Sequence, residues 1–214
     1  MKLISVCVGR PQQTTWQGRS IRTSIWKSPV EGRVRVATLN VEGDEQADPS
    51  VHGGPDKAVY VYPLEHYAYW REQLPGVELP CGAFGENFTT EGLREEQVLI
   101  GDRLGIGSAE FVVTQPRMPC FKLGIRFDRP DMVKRFLRAR RTGFYLSVVR
   151  EGYVAAGDAV DFAARDEHGV TVADIVDLYT LGSENEGLLR RAVGLTSLPQ
   201  TLKDHFRERL SDAR

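Results

Sequence analysis

Over its first three quarters the chain breaks into many short β-type runs set off by glycine and proline. After Ala164 the apolar spacing changes to that of helices. The runs include Arg33 to Val41, Lys57 to Tyr62, Phe111 to Gln115 and Phe144 to Val149, and residues 1–8 read as a first strand. Even spacing of short strands is the pattern of a barrel. Two helical stretches interrupt it. Pro63 to Leu74 puts Tyr67, Trp70 and Leu74 on one face, and Pro130 to Arg140 does the same with Met132, Val133, Phe136 and Leu137; both carry proline in the first turn. Behind Thr171, Val172, Ile175, Val176 and Tyr179 follow helical spacing. Leu188, Leu189, Ala192 and Val193 do so before Gly194, and a capping box at Ser197-Leu198-Pro199-Gln200 opens a third helix. The expected fold class is mainly β: a barrel over residues 1–165 with a few peripheral helices, then a small three-helix appendage over residues 170–214. The polar run Arg165 to Gly169 is the linker between them. Short helices are marginal alone, so the appendage must pack on the barrel or on another chain, a homodimer included.

The 214 residues carry a formal net charge of −1, which gives no global pull toward nucleic acid or membrane. Lys134, Arg135, Arg138, Arg140 and Arg141 make a basic helical face that suits phosphate, an acidic reductase or nucleic acid. No aromatic residues interleave with these charges as in single-strand binders, so a solvated face is the preferred reading. Cys7, Cys81 and Cys120 are odd in number, widely spaced and without a C-x-x-C pair, a usage that fits reduced thiols in a cytoplasm rather than a disulfide framework or a zinc ribbon. The N-terminal apolar run is too short for a signal peptide or a membrane span.

Four polar, glycine-bearing segments have more ionisable and amide groups than strand connection requires: residues 42–48, 51–57, 84–92 and 115–123. In the last of them Pro116 and Pro119 restrict the backbone around Arg117 and Met118, which fixes the direction of the Cys120 thiol. Arg117 and Lys122 flank it. Cationic neighbours favour the thiolate form of a cysteine, the form that attacks and binds metals. Cys7 and Cys81 lack such company and are read as structural, as are Asp102 and the packed His66.

Four stretches, Val51 to Tyr60, Phe84 to Phe88, Ile100 to Asp102 and Gln115 to Cys120, together resemble the MOSC domain. The likeness is greatest to its bacterial YiiM-type members, which are linked to resistance against hydroxylaminopurine and carry three helices after the barrel; it spans nearly the whole chain. One departure is Asp48-Pro49-Ser50, where a leucine is expected after the aspartate, and it bears on loop shape more than on chemistry. The resemblance implies a MOSC-type β-barrel, molybdenum cofactor (a molybdenum–molybdopterin) as ligand, and reduction of N-hydroxylated compounds such as N-hydroxylated purine bases. In that setting Cys120 is the metal ligand and catalytic cysteine, His52 the proton donor, and Lys57 a group that stabilises developing charge or binds cofactor. Arg117 and Lys122 hold phosphate, Asn87 and Glu86 read the pterin edge, and Gly53 and Gly54 let backbone approach the cofactor. A separate flavin reductase supplies the electrons, since the sequence has no glycine-rich nucleotide motif of its own.

Two other readings compete. In one, Cys120 carries molybdenum cofactor or a persulfide sulfur to other proteins without catalysis. In the other, the body is an adaptor whose helical tail docks a partner.

Overall fold

The computed structural model describes residues 1–48, 53–180 and 185–212. The strands are β1 (Lys2–Val8), β2 (Gln12–Trp16), β3 (Arg19–Thr23), β4 (Ser28–Pro29), β5 (Val34–Ala37), β6 (Asn40–Val41), β7 (Val59–Pro63), β8 (Phe88–Glu91), β9 (Arg103–Ile106), β10 (Ala109–Pro116), β11 (Phe144–Arg150), β12 (Gly152–Val154) and β13 (Val160–Ala164). The helices are α1 (Glu65–Gln73), α2 (Phe121–Phe127), α3 (Met132–Ala139), α4 (Val172–Thr180), α5 (Glu186–Gly194) and α6 (Gln200–Asp212), and Pro55–Lys57 forms a single 3₁₀ turn.

Among the described residues the main sheet has eight strands in the order β13-β9-β10-β11-β7-β8-β1-β4. The architecture is therefore mixed α/β around a large sheet, and the expected closed barrel is not seen. The physical reason lies at β1. Its ladders go to β8 and β4, and it meets the other end of the sheet only through an isolated bridge, Lys2 to Ala159. Three backbone bonds surround that bridge: Leu3 N to Asp158 O, Gly157 N to Leu3 O and Val160 N to Met1 O. The tight turn at Gly157 delivers the chain to β1 just before β13 begins, so contact there does not extend into a strand ladder.

The strand β7 shows how the sheet divides the interior. Successive side chains point to opposite faces: Val59 and Val61 enter the main apolar core, while Tyr60 and Tyr62 enter a second, aromatic cluster with Tyr67, Trp70, Phe84 and Phe136. With both faces covered, all five residues of β7 are buried. Its parallel pairing with β8 requires a crossover, which α1 supplies.

The three tail helices form where the apolar spacing places them. Their buried residues, among them Ile175, Leu189 and Phe206, belong to the same apolar cluster as Leu104 and Phe111 of the sheet. The linker is stitched down: Asp102 accepts bonds from Leu99 N, Arg165 Nε and Asp166 N, which bears out its structural reading. No helix among the described residues is long and apolar enough to cross a membrane.

Candidate functional site

The strand β10 ends at Pro116, opposite Phe144 of β11, and Arg117 N extends the pairing by donating to Gly143 O at 3.1 Å. That glycine has a φ of 64°, and a Cβ on it would stand 2.3 Å from Val61 O, so neither its turn nor its packing admits a larger residue. Anchored here, the Arg117 side chain lies over the rings of Tyr60 and Phe136, 5.2 and 5.4 Å from their centroids. Three residues on, the chain turns into α2 at Cys120, whose carbonyl accepts from Leu123 N. The thiol is half-buried.

Cys120 lines a cleft that opens to solvent. Its walls come from the segment before β4 (Thr23, Ser24, Ile25, Lys27), the acidic loop (Asp44 to Ala47), Lys57, Tyr60, Gly85, Asn87, Arg117, Lys122 and Tyr145. Long-range contacts set two of these walls. The carbonyl of Asp56 accepts from Thr114 Oγ1 at 2.7 Å, which ties the 3₁₀ turn to β10 and sets Lys57 in the cleft lining. Tyr60 and Tyr145 are neighbours across β7 and β11, with ring centroids 5.3 Å apart.

The floor is a buried polar network. Asp44 accepts from Lys27 Nζ in an ion pair, from Gly9 N at 2.8 Å and from Asn87 Nδ2 at 2.9 Å. Asn87 Nδ2 also donates to Cys7 O at 3.2 Å, and its Oδ1 accepts from Tyr60 N at 3.1 Å. Burial pulls the Lys27 ammonium below the ordinary lysine range, against the pull of Asp44.

The structure brings Cys120, Lys57, Arg117, Lys122 and Asn87 together at this cleft. Glu86, Gly53 and Gly54 are not among its lining residues. The Glu86 carboxylate is held elsewhere, by Tyr67 Oη, Gly82 N, Phe84 N and Thr89 Oγ1, so it closes a turn rather than reading a ligand edge. Burial raises its pKa. Gly54 has a φ of 94° with open space around it, and its carbonyl accepts from Lys57 N, so it shapes the turn before Lys57. Asn87 lines the cleft, but both its amide hydrogens are spent within the protein. His52 lies outside the described residues. His66 bonds Glu95 at 2.6 Å inside the core, as a packed histidine should.

Sequence reasoning missed Lys27, Ser24, Tyr60 and Tyr145 as lining groups. It singled out the acidic loop without choosing Asp44 within it. Lys27 sits in an unpatterned stretch and carries no signal; the tyrosines are visible only as the alternate face of strands already recognised.

Two buried polar atoms in the cleft wall have no protein partner: Arg117 Nη1, on a residue 5% exposed, and Ser24 Oγ. Buried polar groups are nearly always hydrogen-bonded, so both are free to bond a ligand or water in the cleft. Lys27 is paired with Asp44, and the remaining cations of the lining, Lys57, Arg117 and Lys122, outnumber Glu45, a balance that suits an anionic ligand. No group of three or more metal-ligating side chains exists among the described residues. A solitary cysteine in a cationic cleft suits a soft metal whose other ligands arrive with an organic carrier. These residues fit a phosphate-bearing metal–dithiolene cofactor.

The profile of the MOSC domain matches residues 48–161. The chain belongs to the MOSC-domain family. Its MOSC relatives include the protein YiiM of Escherichia coli, 41% identical over 145 residues that make up 67% of this chain and 65% of that protein. A protein of Gibberella moniliformis named "Reductase" is 34% identical over 216 residues; the match covers 99% of this chain and 38% of the longer protein. The crystal structure of YiiM from Geobacillus stearothermophilus superposes with a TM-score of 0.82 at 32% identity, over 98% of each chain. The MOSC chain described here is thus of the YiiM type.

Proposed function

We propose that this chain is a molybdenum-cofactor-dependent reductase of N-hydroxylated compounds, N-hydroxylated purine bases among them, and that it serves detoxification. The observation that carries the reading is the half-buried Cys120 thiol in a cationic cleft whose wall holds Arg117 Nη1 without a partner. A relative named for reductase activity supports the same reaction class.

In this reading Cys120 Sγ binds the metal, Arg117 and Lys122 hold the phosphate, and the edge formed by Ser24 and Tyr145 borders the pterin. When bound, the cofactor supplies a two-electron redox centre. The net reaction is R–NH–OH + 2e⁻ + 2H⁺ → R–NH₂ + H₂O: the N–O bond breaks, an N–H bond forms and the oxygen leaves as water. Lys57, one of the lining cations, is proposed to stabilise charge developing on that oxygen and to hand over a proton. His52 stays with it as the second proposed proton carrier. The buried Lys27–Asp44–Asn87 floor keeps these groups apart from the apolar core.

The test is direct. Full-length protein from a host that makes molybdenum cofactor is given hydroxylaminopurine and chemically reduced methyl viologen under argon, and the amine is followed by mass spectrometry. Wild type should form it and Cys120→Ala should not. A wild-type protein that yields no amine and carries a persulfide on Cys120 would replace the reductase reading with that of a sulfur carrier.

A further inference from the structure

Apart from the Cys120 cleft, a second cavity opens between α3 and the last turn of α4, with a volume of about 500 Å³. Small-ligand sites run from roughly 300 to 1,000 Å³. Lys134, Leu137, Arg138 and Arg140 line it from one side, Tyr179 and Thr180 from the other, and none of the six lines the cleft. An ion pair between Arg140 and Asp177 spans the two sides.

The positive charge here exceeds what folding uses. Arg138 and Arg140 stand at the C-terminal end of α3, where a helix favours cations, and Arg140 has the Asp177 carboxylate. Lys134 is the third residue of α3, beyond the reach of that end effect. It shares a face with Arg138 one turn on, while Met132 and Phe136 turn inward; both cations are exposed, and neither has an ion pair among the described residues. Like charges at i and i+4 work against the helix. The same cavity exposes an aromatic ring. Tyr179 is 45% exposed, with the His205 ring against it at 5.3 Å between centroids.

Charge and shape together narrow the ligand. Of the three lining cations Asp177 matches one, Arg140, so two positive charges are left. A carboxylate would match one of them, whereas a phosphate monoester, at about −1.5 to −2 near neutral pH, matches both. The ring of Tyr179 adds a flat apolar surface of the kind on which a base stacks. We propose that this cavity binds a nucleoside monophosphate, with Lys134 and Arg138 on the phosphate and Tyr179 against the base. The site stands independently of the reductase reading, because it shares no residue with the Cys120 cleft.

The experiment titrates full-length protein with adenosine monophosphate by calorimetry in a low-salt buffer free of phosphate. Wild type should bind it, and K134A/R138A should bind at least about tenfold more weakly. Two control variants should bind as wild type does: K57A/K122A, which strips two cations from the cleft, and R94A/R150A, which strips two exposed ones elsewhere. Tyr179→Ala should lose a similar factor and Tyr179→Phe should keep the affinity, because stacking needs the ring and not the hydroxyl. K134A/R138A removes a repulsion within α3, so its melting temperature should equal or exceed that of wild type, which separates lost binding from lost folding. No binding by wild type, or a loss in K57A/K122A that K134A/R138A does not share, overturns the proposal. So do equal losses in K134A/R138A and R94A/R150A. Inorganic phosphate bound as tightly as the nucleotide, with Tyr179→Ala unaffected, overturns it as well, since the cavity would then hold no base. A single-stranded oligoadenylate bound more tightly than the mononucleotide would reassign the face to nucleic acid and overturn it too.

Discussion

The side-chain amide of Asn87 donates a 2.9 Å hydrogen bond to Asp44, 43 residues earlier in the chain, and so fastens the acidic loop to the segment that leads into β8. The same amide group satisfies Cys7 O and Tyr60 N. One residue therefore sets the spacing between three walls of the cleft.

Replacing it should show this. Asn87→Ala leaves a buried N–H and a buried carbonyl without partners and should cost about 3 kcal/mol. Asn87→Asp should cost at least as much, because it sets a second carboxylate against Asp44. Urea unfolding measures both, and losses below about 0.5 kcal/mol would show the network to be idle.

How far the sequence discloses this arrangement depends on the range of the interaction. Helices and strands with strong local periods are legible: the tail helices form where Val172, Leu188 and Leu202 place them, and Cys120 is marked by its prolines. The short helix α2 is hidden by Gly124, and the segment reads as a loop. The Lys57 position reads as the start of a strand but is a 3₁₀ turn, because Thr114 captures the Asp56 carbonyl from 58 residues away. The floor is illegible for the same reason. Asp44, Lys27 and Asn87 are meaningful only as a set, and nothing local pairs them. Barrel closure is the other miss: even strand spacing specifies pairing between neighbours but not whether the two ends of a sheet meet in a ladder.

Arg117 offers a separation of folding from binding. Its guanidinium is buried over Tyr60 and Phe136 with one nitrogen unpartnered. Replacing a buried charge by an apolar residue of similar volume is often neutral or stabilising, and methionine packs well against aromatic rings. Arg117→Met should keep the melting temperature of the cofactor-free protein or raise it, while abolishing retention of the pterin through purification. A variant that melts earlier yet retains cofactor would reverse the assignment.

Cys7 lies behind the cleft, and burial pushes its thiol up to about 12, from 9.0. Between those values the folded state keeps a proton that the unfolded chain sheds. The thiol's contribution to stability is therefore complete below pH 9.0 and is lost as pH rises. Relative to Cys7→Ala, wild type should lose about 2 kcal/mol by roughly pH 10.5, measured by urea unfolding across that range. At pH 8, iodoacetamide should label the half-exposed Cys120 and leave Cys7 unmodified.

The central claim is that Cys120 and the cations around it hold a molybdenum cofactor. Wild type and Cys120→Ala, produced in a host that makes the cofactor and purified anaerobically under reducing conditions, are to be compared for molybdenum and pterin by mass spectrometry. Near-stoichiometric molybdenum in wild type, and its loss from a variant that remains folded, is the predicted result. Equal molybdenum in both, or none in wild type alongside a loaded control enzyme, would contradict it.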